Sequence, residues 1–297
     1  MKLLLLGKNG QVGWELQRSL ATLGEVVALD RNVEDGLCGD LADIAHLRAT
    51  IQRVAPDVIV NAAAYTAVDK AESDRDLALH INATAVQAIA EEAANLDSWL
   101  VHYSTDYVFD GAGSAAWQED SLVSPVNYYG MSKLLGEQAI AASGCKYLIM
   151  RTSWVYGARG NNFAKTMLRL AADRDELNII ADQMGAPTGA DLIADVTAVM
   201  LRKALVDQAV VGIYHLAAAG FTSWHEYASL VIEQGKASGL PLQVQALNPI
   251  STTQFPTPAR RPLNSRLSTA KLRDTFSIHL PDWRSGVTRM LKEVLEK

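Results

Sequence analysis

Residues 2–13 read KLLLLGKNGQVG, a short apolar run followed directly by three regularly spaced glycines. The run Leu3–Leu6, stopped by Gly7, is typical of a buried parallel strand, and helical spacing of apolar residues begins a few positions later. Glycines at such a junction permit a tight turn and a close backbone approach to a pyrophosphate, whose charge the free amides of the helix N-terminus attract. We therefore expect a dinucleotide phosphate site here. Its predicted residues are Gly7, Gly10, Gln11, Val12 and Gly13.

Strand and helix patterns keep alternating through the first half of the chain. A helix over 11–23 and a strand over 25–30 complete one βαβ unit. Further strands are predicted at 57–61, 99–104 and 147–151, separated by helices at 44–54, 71–95 and 129–142. This alternation predicts an α/β fold with a doubly wound, Rossmann-like parallel sheet that is covered on both faces.

The pattern loosens after about Ser153. Helices are predicted at 161–170, 191–205, 224–234 and 283–295, and a strand at 213–217. The segment 248–266 is rich in Pro and Arg, which favours a constrained loop. We predict two interlocked lobes: residues 1–153 with about 190–217 bind the dinucleotide, and about 154–189 with 218–297 form a smaller α/β substrate-binding lobe.

The end of the second predicted strand carries the charges that distinguish NADH from NADPH. Asp30 stands twenty residues after Gly10, where a carboxylate can accept hydrogen bonds from the adenosine ribose. It would repel a 2'-phosphate, whereas Arg31 and Lys8 could pair with one, so the choice of cofactor stays open. Farther along the edge, further cofactor contacts are predicted. They are Asp40 and Leu41 at the adenine, and Ala63, Ala64, Tyr65 and Tyr103 at the strand ends.

Tyr129 and Lys133 stand four residues apart, so on a helix they share one face. A cation near a phenol lowers the tyrosine pKa and makes the phenol a usable proton donor or acceptor for a carbonyl/alcohol pair. The preceding strand ends at Thr105 and Asp106, whose side chains would emerge at the same edge of the sheet. Tyr128 is five residues from Lys133 and fits this geometry less well.

These motifs occur in the order found in the extended short-chain dehydrogenase/reductase family, which the chain resembles. The blocks GQVGWEL, VNAAAYTAVDKAE, HYSTDYVFDG, RTSWVYG, NNFAKTML, DQMGAPT and PTPARRPLNSRL are similar to those of the family's nucleotide-sugar reductases over nearly the whole chain. The resemblance implies reduction of dTDP-4-dehydro-L-rhamnose to dTDP-L-rhamnose by NADPH or NADH. It further implies that Tyr129 donates the proton, that Lys133 binds the nicotinamide ribose and that Thr105 contacts the sugar carbonyl.

Neighbouring activities remain as alternatives. Related dehydratases carry an Asp-Glu pair after the catalytic Thr, whereas this chain has Asp106-Tyr107. A nucleotide-sugar 4-epimerase uses the same Tyr, Lys and Thr, so only the later blocks favour a reductase. A non-catalytic nucleotide-binding regulatory subunit is a second class of function, although such proteins typically lose the Tyr or the Lys.

Substrate contacts are predicted from the second half of the chain. Trp154 could pack on the hexose, and Asp106 joins Thr105 beside it. Arg261, together with Arg260 and Asn264, lies in the proline-fixed segment and could hold a diphosphate. The DQMGAPT block, with Gln183, Gly185 and Pro187, is predicted to shape a turn beside the nucleotide.

Composition limits the remaining partners. With net charge -6 and a pI of about 5.5, the chain offers no general attraction for nucleic acid or anionic membranes. Only two cysteines occur and no leader segment is evident, so a reducing cytoplasm is expected. The resemblance adds a homodimer, with Mg²⁺ at the subunit interface in some members. No metal motif locates such an ion, and Glu15 and Asp191 are merely available carboxylates.

Overall fold

The computed structural model of the protein describes residues 1–296. Its strands are β1 (Lys2–Leu6), β2 (Glu25–Leu29), β3 (Val58–Asn61), β4 (Trp99–Thr105), β5 (Lys146–Thr152), β6 (Val155–Tyr156), β7 (Glu176–Ile180), β8 (Met184–Gly185), β9 (Thr188–Gly189), β10 (Gly212–His215), β11 (Thr222–Ser223) and β12 (Ala246–Ile250). Its α-helices are α1 (Gln11–Leu20), α2 (Ile44–Val54), α3 (Arg75–Leu79), α4 (Ala85–Asn95), α5 (Tyr128–Ala142), α6 (Phe163–Asp173), α7 (Ala190–Ala204), α8 (Trp224–Ala237), α9 (Ala270–Phe276) and α10 (Trp283–Leu295). Within residues 1–296, no helix has the length and apolar character needed to span a membrane.

Six strands form one parallel sheet in the order β10-β5-β4-β3-β1-β2. The chain passes from β1 outward to β2, then returns to β3 on the other side of β1 and continues in the opposite direction. The topological switch point therefore lies between β1 and β3, and ligands of such sheets bind at the carboxyl ends of the strands there. The predicted doubly wound α/β fold is confirmed.

The four leucines of β1 show how the sheet is held. Leu3 and Leu5 face the core formed with α1 and α7, whereas Leu4 and Leu6 face the core formed with α2 and α4. All four are fully buried, so each contributes about 2 kcal/mol of burial free energy. An uninterrupted apolar run is what a strand covered on both faces requires.

A third core lies among α6, α8 and α10, and the parallel pair β7–β12 borders it. Its largest fully buried side chains are Tyr227 and Trp283. Residues of α7 and β10 pack in a core of the main sheet, and so do Leu272 and Phe276 of α9. The division of the chain into two lobes stays a prediction.

Two regions depart from the predicted elements. The helix expected over 71–95 is broken by a π-helical turn at His80–Thr84, where the buried Asn82 side chain bonds the backbone of Tyr65. The segment 248–266 is mostly loop, but its first residues belong to β12, because they pair with β7. Both departures depend on contacts with distant segments.

Candidate active site

The glycine turn after β1 has the geometry of a phosphate cradle. Gly7 has φ of +88°, and a Cβ there would lie 2.8 Å from the Ala63 nitrogen. A Cβ on Gly13 would lie 2.0 Å from the Gly7 oxygen, so α1 can start this close to β1 only with glycine at that position. Gly10 is the N-cap of α1 and has no side chain, which leaves the first-turn amides for an anion.

A cleft of about 580 Å³ opens at the carboxyl edge of the sheet, beside this turn. Most of the predicted cofactor and catalytic residues line it. They are Gly7, Gly10, Gln11, Val12, Ala63, Ala64, Tyr103, Thr105, Asp106, Tyr129, Lys133 and Trp154. Gly13 lies beneath the turn, against Gly7. A dinucleotide therefore fits a cradle and a cleft that the chain itself forms.

The predicted ribose-binding carboxylate follows β2 directly. Asp30 accepts hydrogen bonds from the backbone N–H of Asn32, at 2.7 Å, and from the Asn9 side chain. Lys8 Nζ lies 2.6 Å from both carboxylate oxygens of Glu34, a residue that the sequence interpretation overlooked. Arg31 is exposed to solvent. Two acidic and two basic side chains thus stand at this end of β2.

Three further predicted cofactor residues lie outside the cleft. Leu41 is buried in the core on the α2 side of the sheet. Asp40 accepts from the Ala42 N–H at 3.0 Å, and the Tyr65 hydroxyl donates to Asp74 at 3.2 Å. Their contacts are with the chain itself, so their roles toward a cofactor stay predictions.

Tyr129 is placed by the start of α5. Asn127 caps this helix by accepting the Gly130 N–H at 2.8 Å, and its amide nitrogen donates to the Arg260 carbonyl at 2.8 Å. A Cβ on Gly130 would lie 2.1 Å from the Tyr107 backbone oxygen, so glycine there lets α5 approach the turn that follows β4. The Tyr129 ring then meets the Tyr107 ring edge-on, with centroids 5.8 Å apart.

The Tyr129 phenol is protonated at neutral pH. Desolvation and the nearby Asp106 raise its pKa to about 12, although a hydrogen bond with Thr105 acts in the opposite direction. Without a bound ligand, the Lys133 amine bonds the Tyr103 carbonyl and His102, so its predicted effect on the tyrosine pKa stays a prediction. A neutral phenol has a proton to give, which suits it to reduction of a carbonyl.

Lys133 is almost completely buried, with 2% of its surface exposed. Its Nζ donates to the Tyr103 carbonyl at 2.6 Å and lies 3.1 Å from His102 Nε2. Burial lowers the lysine pKa to about 8, while the charge of Glu137, one turn later in α5, opposes that shift. The amine is therefore still largely charged at neutral pH, at the wall of the cleft.

Polar atoms without protein partners point to a ligand in this cleft. Within residues 1–296, Ser104 Oγ, Asp106 Oδ2 and Thr152 Oγ1 are buried and have no hydrogen-bond partner. All three residues line the cleft. Burial raises the pKa of Asp106 to about 7, against hydrogen bonds from Ser265 and Thr105 that lower it. A buried polar atom is costly unless something bonds it, so bound substrate or ordered water is its natural partner.

We expect Asp106→Asn to stabilise the fold at alkaline pH by about 1–2 kcal/mol. The folded-state pKa of about 7 exceeds the ordinary value of 3.8, so the folded protein binds the proton more tightly than the unfolded chain. Stability contributed by this group is present at low pH and is lost as pH rises toward 7.

Urea unfolding at about pH 5 and about pH 8 measures this difference. The exposed Asp120 provides the matched control, and Asp120→Asn should change stability little at either pH. A stability difference between wild type and Asp106→Asn that is the same at both pH values would contradict the prediction.

A larger cavity of about 1000 Å³ adjoins the cleft, since Tyr107 and Trp224 line both. Arg261 lines it, and its Nη2 donates to Asp69 at 2.8 Å. Asn264 does not reach either cavity. Its amide nitrogen donates to the carbonyls of Ala112 and Ala115, and the residue is 1% exposed, so the structure gives it a role in folding the loop.

Trp154 forms the boundary between the cleft and the second lobe. Its ring stacks on Trp224 with centroids 3.6 Å apart, and its φ of +50° is rare for a side chain of this size. Gly185 permits this placement, because a Cβ there would lie 2.7 Å from the Trp154 ring. Gln183 accepts from Trp224 Nε1 at 3.0 Å. The sequence interpretation placed Trp224 in a helix but missed it as a site residue.

The resemblance suggested Mg²⁺ at a subunit interface, which a single chain does not contain. Within residues 1–296, no group of three His, Cys, Asp or Glu residues that could hold a metal ion occurs. Asp191 is paired with Arg289, and Glu15 lies 3.8 Å from Arg18 Nε. We therefore derive no chemical step through a metal.

The glycine cradle, the sheet edge and the Tyr129/Lys133 pair together define a dinucleotide-dependent oxidoreductase fold of the extended short-chain dehydrogenase/reductase class. The family described as "RmlD substrate binding domain" matches residues 1–296. The chain is 54% identical to the dTDP-4-dehydrorhamnose reductase of Escherichia coli (strain K12) over 294 residues, which cover 99% of this chain and 98% of that protein. It is 48% identical to that of Burkholderia thailandensis over the full length of both.

Solved structures agree with the sequence relatives. The dTDP-4-dehydrorhamnose reductase from Bacillus anthracis, solved in complex with NADP, superposes with a TM-score of 0.86 at 35% identity and covers 98% of this chain and 99% of its own. The chain belongs to the dTDP-4-dehydrorhamnose reductase family.

Proposed function

We propose that this protein reduces dTDP-4-dehydro-L-rhamnose to dTDP-L-rhamnose with NADPH or NADH. Family membership supports the substrate, and the protonated Tyr129 beside the buried Lys133 in the cofactor cleft is the observation that carries the reaction. The resident cofactor, when bound, supplies the hydride that the sugar C4 carbonyl carbon accepts. A homodimer in the cytoplasm is part of this proposal.

The chain's own residues supply the rest of the chemistry. Tyr129 gives its phenolic proton to the C4 oxygen, which becomes the alcohol, and the charged Lys133 stabilises the phenolate that is left. Thr105 lines the cleft with Tyr129 and would stand beside the same oxygen. Trp154 and Trp224 stack at the cleft, and Arg261 lines the adjoining cavity, where the diphosphate would replace Asp69 as its partner.

The direct test follows the loss of NADPH absorbance on adding dTDP-4-dehydro-L-rhamnose. Stoichiometric oxidation, with one dTDP-L-rhamnose formed for each NADPH consumed, is the expected result. An epimerase would instead retain NAD tightly through purification and interconvert sugars with no net oxidation. A folded protein that binds NADPH and leaves the substrate unchanged would overturn the proposal and favour the regulatory alternative.

Cofactor preference depends on the charges at the end of β2. Glu34 neutralises Lys8, so removing its charge frees a cation for the 2'-phosphate of NADPH. We expect Glu34→Gln to raise the ratio of kcat/KM for NADPH over NADH about two- to fivefold at low ionic strength, the range for an exposed ion pair.

Titration of both cofactors against the variant, read as two Kd values, checks the same shift without turnover. The exposed Glu25, at the opposite end of β2, is the control, and Glu25→Gln should leave the ratio unchanged. Equal ratios in the two variants would refute the assignment of Glu34.

A further inference from the structure

His102 lies beneath the catalytic pair and has no role in the chemistry described above. It stands on β4 with none of its surface exposed, and it pairs in register with Asn61 of β3. Its Nε2 lies 3.1 Å from Lys133 Nζ, and its Nδ1 lies 3.3 Å from Asn61 Nδ2. The ring therefore connects Lys133 to β3, and the alanines that line the cofactor cleft come directly after this strand.

The imidazole is neutral. Burial and the charge of Lys133 both hold its pKa well below the ordinary 6.5. A neutral imidazole has one N–H donor and one acceptor nitrogen, so whichever role Nε2 takes toward the lysine fixes the opposite role for Nδ1 toward Asn61.

Two hydrogen-bonding patterns are open to this chain of groups. A charged ammonium has only donors, so Nε2 accepts from it and Nδ1 carries the hydrogen toward Asn61. A neutral amine has a lone pair, so Nε2–H can donate to it while Asn61 Nδ2 donates to Nδ1, the direction in which the Asn61 amide lies in this structure. Asn61 Oδ1 accepts the Ala63 N–H at 3.2 Å, so the amide as it lies serves the second pattern. The first pattern requires the amide to turn and to give up that bond.

We propose that His102 is a positioning residue for Lys133, which holds the lysine amine at the cleft wall in both of its protonation states. His102 and the Tyr103 carbonyl take two of the three hydrogen-bonding positions of Lys133 Nζ. The third position is left to face the cleft. This inference rests on the proposed function in one respect. It takes from it the role of Lys133 in binding the cofactor and stabilising the Tyr129 phenolate.

The surroundings of Lys133 define what removal of His102 changes. The ionisable groups near the amine are His102 and Tyr103 from β4, Tyr129 and Glu137 from α5, and Arg151 from β5, which binds Glu137. Of these only Glu137 stabilises the ammonium by charge. Loss of the His102 acceptor therefore disfavours the charged amine further.

The test compares His102→Leu, which removes both polar atoms, with His102→Gln, which keeps a donor and an acceptor. We expect His102→Leu to lower kcat/KM about 10- to 100-fold, the range for a buried hydrogen bond to a charged group. The alkaline limb of its pH profile should move to lower pH, and its Kd for NADPH should weaken at alkaline pH. His102→Gln should restore most of the activity and the wild-type profile.

His215 provides the matched control. It is equally buried, lies on β10 of the same sheet, and is kept neutral by a pKa lowered to about 3, but it bonds Trp117 and Glu119 rather than the lysine. His215→Leu should cost stability without moving either pH profile. If His102→Leu does not fold, His102→Asn is used. Its shorter side chain does not reach Lys133 Nζ, so the alkaline limb of the pH profile should again move to lower pH.

Unchanged pH profiles of NADPH binding and of kcat/KM in the His102 variants, relative to His215→Leu, would overturn the inference. NADPH binding is measured without sugar, so this readout is separate from the substrate. A wild type that binds NADPH with the expected pH dependence but ignores dTDP-4-dehydro-L-rhamnose would refute the proposed function and leave the role of His102 intact.

Discussion

Tyr129→Phe should reduce kcat about 1000-fold while leaving the fold and the Kd for NADPH within about twofold of wild type. The substitution removes only the phenolic oxygen, so the ring still meets Tyr107 edge-on. What is lost is the proton for the C4 oxygen, and positioned general acids contribute about 100- to 10,000-fold in rate. The size of the effect is measured by NADPH oxidation at saturating substrate.

Tyr128→Phe is the matched control, because this tyrosine precedes Tyr129 in the same helical turn. The Tyr128 ring lies under Arg75, 5.0 Å from ring centroid to guanidinium carbon, and its backbone N–H bonds Glu72, so it faces away from the chemistry. We expect Tyr128→Phe to retain near wild-type kcat. A loss shared equally by the two variants would show that α5 had been disturbed, and full activity of Tyr129→Phe would remove the assignment of the proton donor.

The pH dependence of the wild type follows from the same groups. A phenol with a pKa of about 12 stays protonated through the neutral range, so the acid itself does not limit the reaction there. Lys133, with a pKa of about 8, loses its charge first, and the rate should fall as pH rises above that value. The alkaline limit of the reaction therefore reports on the lysine rather than on the tyrosine.

Local sequence predicted the sheet and the cradle well. The run Leu3–Leu6 and the three glycines after it specify a strand, a turn and a helix start within thirteen residues, with no contribution from distant segments. The Tyr129/Lys133 pair is equally local, because four residues are one helical turn. Features of this kind are visible in a sequence because periodicity and spacing are their physical cause.

The parts of the site that escaped prediction depend on contacts between distant segments. Trp224 is brought to Trp154 only when the second lobe folds back, and Glu34 meets Lys8 across the end of β2. His102 lies under Lys133 because β4 and α5 pack together. No spacing rule relates such pairs. The sequence predicted a helix over 224–234, but not what Trp224 would face.

Asn264 shows how a predicted site residue also serves the fold. Its position in an Arg-rich and Pro-rich segment favours a substrate role, while its amide nitrogen donates to the carbonyls of Ala112 and Ala115 and its Oδ1 accepts from Arg266. A polar side chain in a loop can supply hydrogen bonds to nearby backbone groups or to a ligand. Sequence alone gives no means of telling which demand is met.

The buried ion pair between Glu137 and Arg151 carries the largest expected effect on stability. Arg151 Nε and Nη2 donate to the Glu137 carboxylate at 3.0 and 2.7 Å, and the two side chains are only 3% and 2% exposed. Arg151→Met would leave a carboxylate buried without its partner. We expect it to lower the free energy of unfolding by about 3–5 kcal/mol, measured by urea denaturation.

Two comparisons decide whether burial is the cause. Arg18 bonds Asp195 at 2.8 Å, but both side chains are more than half exposed, so Arg18→Met should cost at most about 1 kcal/mol. The double variant Arg151→Met with Glu137→Leu removes the stranded charge and should recover much of the loss, since apolar pairs often replace buried ion pairs without penalty. If the double variant were as unstable as Arg151→Met alone, the loss would come from altered packing around Phe109, over which the Arg151 guanidinium lies.

Because Glu137 also supports the charge of Lys133, the double variant should in addition move the alkaline limit of NADPH binding to lower pH, which connects this pair to the active site.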